Sequence, residues 1–355
     1  MKYNTDILPY IRGVIESVTS QSVEELNKFI STNPTTPLFC TACGGSFSAV
    51  KYAALMYSAL KGVGIAMTPL TLSSVSDEVL KLSKVLILSN SGRGRDISYI
   101  MKRMNKLNPE GTAAITRKPD REGANELLSY FEKAGISCSA FTWEDREAFI
   151  DTFGVFVHYA LLYMAFTGKT DFNNISFSTE PNECFRYERL RSSELPAELK
   201  DINHFVTLYS GWGEPVAVDF ESKMTEAGYA SVQLCDYRNF MHGRFMFMSN
   251  HFDDSALVLI KTNRDTDFID KMWKGRDRHK NVFFPDGMQV ITIETDIDSP
   301  LASIDLLFKM SVLYGEIGAS KGYDPCNPKN PAKFQKQGPR DLLFKGLAKE
   351  HGLAF

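Results

Sequence analysis

Three stretches limit the fold of this chain most: KVLILSN at residues 84–90, SALVLIKT at 255–262 and MQVITIET at 288–295. The apolar residues of the first two run consecutively, and those of the third break only at Gln289 and Thr292, so each reads as a strand covered on both faces. Each is followed by a helical pattern: ISYIMKRMNKL, DTDFIDKMW and SPLASIDLLFKMSVLYGEIGA. Such strands alternating with helices build parallel sheets, and those sheets hold ligands at the C-terminal ends of their strands.

The rhythm occurs twice. In the first half, helical periodicity over 7–30 precedes the strand PLFCTA, the turn CGGS and a helix closed by Gly62. A short strand near GIAMTP and two more, GTAAIT and ISCSAF, flank KVLILSN, and a long apolar helix, DREAFIDTFGVFVHYALLYMAF, covers the sheet. Residues 168–200, rich in Asn, Ser, Glu and Pro, read as a connector. The pattern restarts with strand HFVTLYS, turn GWGEP and helix VAVDFESKMTEAG, closed by Gly228. The expectation is an α/β chain of two tandem doubly wound, flavodoxin-like domains with parallel sheets. The expected boundaries are a helical segment at 1–35, domain one at 36–167, the connector at 168–200, domain two at 201–333 and a tail at 334–355.

At 355 residues there is length for two cores. A net charge of −3 gives no electrostatic case for a nucleic-acid or membrane partner, and neither is expected. No apolar run is long enough to span a bilayer, and MKYNTDILPY lacks the features of a signal peptide. The six cysteines, Cys40, Cys43, Cys138, Cys184, Cys235 and Cys326, are too sparse for a disulfide framework, so a cytoplasmic location is expected. Cys40 and Cys43 form a C-x-x-C without a second pair, and read as small buried groups at a strand end rather than as a metal or redox site.

Two turns stand at the C-terminal ends of first-half strands: Cys43-Gly44-Gly45-Ser46 and Ser89-Asn90-Ser91-Gly92. Each leads into a helix. Glycines let a backbone approach an anion, and free helix N-terminal amides point at it. Ser46, Ser89 and Ser91 add hydroxyl donors, and Arg93 and Arg95 add charge. Taken alone, each turn also fits an ordinary helix cap; two on neighbouring strands favour a phosphate cradle.

These motifs, ACGGS and LSNSG, resemble those of tandem sugar isomerase (SIS) domains, as in the isomerase part of glucosamine-6-phosphate synthase and in sugar-phosphate deglycases. The likeness covers roughly residues 36–335. It implies that Ser46, Ser89, Asn90 and Ser91 hold the phosphate of a hexose phosphate, with Gly44 and Gly45 in the turn. Gly45 and Gly94 stand where the family often has hydroxyl residues, and Arg93 and Arg95 enlarge the charge.

The resemblance extends to the second half. The family uses a helical glutamate as base, a histidine sixteen residues later for ring opening, and a lysine near the C-terminus as imine former. KMTE carries Lys223 and Glu226, and His242 falls sixteen residues after Glu226. RNFMHGRF is similar to the family's histidine loop, with Arg244 in place of a proline; GYDPCNPKNPAKF is similar to its ending, whose lysine falls on Lys333. The resemblance therefore implies Glu226, His242 and Lys333 as catalytic residues; Lys223 is expected to contact substrate, and so is Arg244, whose added charge, where the family has proline, suits a phosphate or a carboxylate. In the family the histidine often reaches a neighbouring subunit's site, which implies a homodimer. The same residue types have plainer roles open to them: Glu226 as a solvated helical residue, His242 as a structural histidine, and Lys223 as an ion-pair partner of Asp219 or Glu221. His158 and His204 read as packing residues; His251, His279 and His351 show no metal-binding cluster, and no metal or cofactor is expected.

The synthase's glutaminase domain is not expected in a chain that enters the similar region within about forty residues. The reading that results is a phosphosugar-binding enzyme acting on a hexose phosphate or amino-sugar phosphate by enediol chemistry, as isomerase or deglycase. Its ligand would be a phosphorylated sugar or a sugar–amine conjugate. The alternative is a non-catalytic phosphosugar sensor.

Overall fold

The computed structural model describes residues 2–92, 94–118, 125–134, 138–144, 149–189, 199–274, 287–328 and 340–353. Its contacts divide the chain into two compact units. One unit holds residues 13–146, 153–170 and 331–355; the other holds 1–12, 147–152 and 171–330.

The first unit is built on five parallel strands: β1 (Leu38–Thr41), β2 (Gly64–Met67), β3 (Lys84–Ser89), β4 (Thr112–Arg117) and β5 (Cys138–Phe141), in the order β2-β1-β3-β4-β5. Every residue of β1 and β3 is buried, as their unbroken apolar runs require. The polar start of β3 has its own explanation. Lys84 is buried, and its ammonium donates to the carbonyls of Phe29, Ile30 and Thr32 at the end of the helix Glu24–Ser31. It thus satisfies carbonyls that a helix end leaves unpaired. The long apolar helix spans Phe153–Thr167 and is buried from Phe153 to Phe166. It packs on the helix Phe47–Leu60, with Tyr52 and Tyr159 stacked at 4.5 Å.

Residues 340–353 also belong to this unit. The helix Arg340–Glu350 rests Phe344 against Tyr99, with ring centres 5.8 Å apart, and the Lys106 ammonium donates to the carbonyl of His351 at 3.1 Å.

The second unit carries β6 (Arg186–Arg189), β7 (His204–Tyr209), β8 (Ser231–Asp236), β9 (Ser255–Lys261) and β10 (Gln289–Glu294), in the order β6-β10-β9-β7-β8. Strands β7 to β10 are parallel and repeat the first sheet's winding. Strand β6 lies inside the segment read as a connector and pairs antiparallel with β10 at the sheet edge. Arg186 reaches Glu294 on the neighbouring strand, and Lys261 joins the same carboxylate at 3.3 Å. The helix Glu214–Ala227 covers one face, where Phe220 meets Phe205 edge to face at 5.7 Å. Gly228 closes this helix in the left-handed region (φ 68°), which suits a residue without Cβ. The helix Ala302–Ser320 is almost wholly buried.

Candidate functional site

The two turns of the first unit adopt the geometry their glycines suggest. After β1 the chain makes a short turn over Gly44–Ser46 and enters the helix Phe47–Leu60, with no side chain capping either. Gly44 has φ 59°, and a Cβ at Gly44 or Gly45 would meet nothing within 4 Å. Open space above uncapped amides is what an anion needs.

After β3, Ser89 is buried and its Oγ accepts the N–H of Gly92 at 3.1 Å, so this hydroxyl braces the turn from within. Asn90 is half-buried, whereas Ser91 and Arg95 are exposed. Gly92 is obligatory twice over. Its φ is 62°, and a Cβ would stand 1.9 Å from Asn125 Oδ1. Asn125 is itself fixed by donating to Thr116 Oγ1 at 2.6 Å and Arg117 O at 3.0 Å. Sequence reasoning missed this buttress, since a lone Asn outside the turn gives no signal. It also missed Asp96 at the start of the helix Arg95–Leu107, which lies beside Cys43. Cys40 is buried as expected, but Cys43 is exposed; desolvation by the surrounding protein first, and then that carboxylate, push its thiol up to about 12, so it is not a nucleophile near neutral pH. Arg93 lies outside the described residues.

In the second unit, the helix Glu214–Ala227 places Asp219, Lys223 and Glu226 on one stripe. Asp219 and Lys223 are both buried and form an ion pair at 2.7 Å. Burial alone would lower the Lys223 pKa. The charge of Asp219, foremost among the opposing causes, helps to outweigh it, and the ammonium is held above the ordinary lysine value. Of the two partners considered from the sequence, Lys223 takes Asp219. Tyr3, more than two hundred residues away in the chain, gave no signal at all. It is buried edge-on against Tyr314 at 5.4 Å, and its N–H donates to Asp324 Oδ1.

Glu226 is solvent-accessible at the end of this stripe. Surrounding protein nevertheless raises its carboxyl pKa above the usual glutamate value. Desolvation is the main cause, opposed by the hydroxyl of Ser222, which donates to Oε1 at 3.1 Å. Asp219 adds to the rise and Lys223 subtracts from it.

His242 sits in a five-residue turn, Phe240–Arg244, beyond β8. Asp236 caps the preceding helical turn by accepting the N–H groups of Arg238 and Asn239. Phe240 is fully buried and Phe245 half-buried, with ring centres 6.3 Å apart. His242, Gly243 and Arg244 are exposed between them. Gly243 has φ 95°, which allows the sharp reversal at the histidine. The mixed composition of RNFMHGRF is thus resolved: the aromatic residues anchor the turn and the histidine is presented to solvent. Arg244 leans back on the strand end, where it touches the Cys235 thiol.

The winding of the sheet separates Glu226 from His242 within one chain. Glu226 precedes the start of β8 by five residues, and His242 follows its end by six. A six-residue strand spans about 20 Å at roughly 3.3 Å per residue, so the two residues lie toward opposite ends of the strand. Lys333 lies outside the described residues, as does His279.

His158 is fully buried beside Trp143, and burial holds its imidazole down to about 4, as suits a packing residue. The expectations for His204 and His251 need correction. They are not isolated: with Asp254 they form a cluster at the starts of β7 and β9, assembled from residues about fifty positions apart.

No family model matches the sequence, and no curated protein matches it. Solved structures do match in fold. Tagatose-6-phosphate ketose/aldose isomerase from Escherichia coli is similar at a TM-score of 0.65 and 15% identity, over 94% of this chain and 97% of that one. The C-terminal domain of glucosamine-fructose-6-phosphate aminotransferase from Francisella tularensis gives 0.62 and 13%, over 92% and 96%. Glucosamine-6-phosphate deaminase from Thermotoga maritima gives 0.57 and 15%, over 89% and 97%. The chain shares their α/β fold. All three likenesses extend over most of this chain's length.

Proposed function

We propose that this chain is a phosphosugar enzyme that moves a proton between neighbouring carbons of an open-chain sugar phosphate, either to isomerise it or to release an amine from it. The observation that carries the reading is Glu226. Its carboxyl is made more basic by desolvation, and it sits one turn from the buried Asp219–Lys223 pair. A base of raised pKa suits abstraction of a proton next to a carbonyl. In this reading Gly44, Gly45, Ser46, Asn90 and Ser91 hold the phosphate, Ser89 shapes its turn, and Arg95 adds charge. Arg93 and Arg244, charges added to the family pattern, serve as further contacts, and Lys333 keeps the imine-forming role implied by resemblance. The phosphosugar ligand is supported by the uncapped turns and by a fold shared with proteins named for sugar-phosphate substrates.

His242 stands a strand's length from Glu226 in its own chain. We therefore assign it to the site of a second copy, as the acid that opens the sugar ring, which makes the working unit a homodimer. Exposure of His242 beside a buried phenylalanine anchor supports this assignment.

The test is a thermal-shift screen of ketose, aldose and amine-conjugated sugar phosphates, followed by turnover assays on each ligand found. Glu226→Gln keeps the shape and removes the basicity, so turnover falls by about 10²–10⁴ while binding survives. Full turnover in that variant would sink the mechanism. Tight binding with no turnover by the unaltered protein would replace the enzyme with a sensor.

A further inference from the structure

We propose that His204, His251 and Asp254 form a binding site for a divalent transition-metal ion of the zinc type, on the opposite sheet face from Glu226. The inference does not depend on the proposed activity.

The donor set comes first. Two imidazoles and one carboxylate are ligands that zinc takes, with a fourth position left for water. Their donor atoms all lie within 4.8 Å of one another. His204 Nε2 is 3.6 Å from Asp254 Oδ2, and His251 Nδ1 is 3.9 Å from Asp254 Oδ1. These gaps are too long for hydrogen bonds. They lie close to the roughly 3.3 Å that separates donors around a tetrahedral ion with bonds of about 2.0 Å.

The surroundings then fix which atoms are free to ligate. Ser231 Oγ donates to the carbonyl of Asn203 at 3.4 Å. It is therefore an acceptor toward His204 Nδ1, 2.6 Å away. With Nδ1 engaged by Ser231, the ring is held so that Nε2 faces the Asp254 carboxylate, and a divalent cation placed between them would be bound by both. The carboxylate is held from behind by Asn203, whose Nδ2 lies 3.4 Å from Oδ2. Outer partners of this kind orient metal ligands and raise their affinity.

Position and access also fit. Phe205 points to the helix Glu214–Ala227, so its neighbour His204 faces the other side of the sheet. There Phe247 stacks on His251 at 4.5 Å and meets His204 edge to face at 5.2 Å, walling the site on one side. The three ligand side chains are 25%, 42% and 38% exposed, so an ion can enter from solvent. His251 ends the helix Met246–Asn250, which directly follows the His242 turn. An ion here would clasp that segment to the starts of β7 and β9.

The experiment is calorimetric titration of the tag-free full chain with zinc chloride, repeated with cobalt to read its absorption bands. The expected result is one saturable site per chain and a higher thermal transition with metal bound. His204→Ala and Asp254→Asn abolish that site, Ser231→Ala weakens it by about 10–100-fold, and His351→Ala leaves it intact. Circular dichroism checks that each variant is folded. Absence of saturable uptake would overturn the proposal. So would unchanged stoichiometry in folded His204→Ala or Asp254→Asn, which would assign the metal to the free cysteines.

Discussion

Replacing Asp219 by Asn tests the interior of the helix Glu214–Ala227. The substitution preserves shape and removes the charge that faces Lys223 at 2.7 Å, where both residues are buried. Breaking one side of a buried pair strands the other charge and costs about 3–5 kcal/mol. In a unit of this size each kcal/mol moves Tm by roughly 2–4 °C, so the unfolding transition of that unit should fall by about 6–20 °C. The alkaline pH dependence should also change sign. In the unaltered protein the Lys223 pKa is raised by folding. Its contribution is complete below the unfolded lysine pKa and is lost as pH rises through the folded value. In Asp219→Asn burial acts without the acid and lowers the folded pKa. The unfolded chain then binds the extra proton, and stability rises with pH over that window. Urea unfolding from pH 7 to 10, taken as the difference between variant and parent, reads that rise, in a range below the raised Tyr3 phenol. A loss under about 1 kcal/mol, or parallel pH slopes, would refute the buried pair. The double variant Asp219→Leu, Lys223→Met should recover most of the loss, because two apolar groups leave no charge stranded.

Gly92→Ala should lower stability by about 1–2 kcal/mol through its positive φ and weaken sugar-phosphate affinity; Asn125→Ala in the same chain relieves the collision but not the backbone strain. His158→Phe should flatten acid denaturation. The buried ring is held to about 4 while the unfolded ring titrates near 6.5, so a penalty of about 3 kcal/mol develops as pH falls between those values, read by Trp143 fluorescence. Mixing Glu226→Gln and His242→Asn chains should restore part of the turnover if each histidine serves another copy's glutamate, and none if both act within one chain. Gly243→Ala should leave the core intact, since nothing crowds its Cβ, yet cut turnover by displacing His242 from its φ 95° turn.

Strands β3 and β9 are legible because burial on both faces leaves an unbroken apolar run; β10 is as deeply buried, and its run is interrupted only by Gln289 and Thr292. Strand β8 was not read: it is an edge strand, with Ser231 exposed and Gln233 half-buried, so neither alternation nor continuity marks it. Strand β6 hid in a polar segment for the same reason: Arg186 and Tyr187 pair at an edge through an ion pair and a hydrogen bond rather than an apolar face. The glycine turns announced themselves, since positive φ at Gly44, Gly92 and Gly243 demands that residue type. Lys223 with Asp219 was visible as an i, i+4 pair. Tyr3 and the trio His204, His251 and Asp254 were not, because neighbours created by winding leave no local spacing to detect.

The segment 340–353, packed against Tyr99 and Lys106, sets an order for biosynthesis. A ribosome finishes the first sheet long before it delivers Phe344. That sheet must therefore wait, with the face around Tyr99 uncovered, while the whole second sheet is made. Residues 1–12, translated first, must wait as long for their own partners around Tyr314 and Asp324. Vectorial folding, one finished unit after another, is closed to this chain. Chaperone dependence during synthesis should fall sharply only once residue 350 has cleared the exit tunnel. A nascent-chain series stalled on either side of that point would register it as a step in protease resistance.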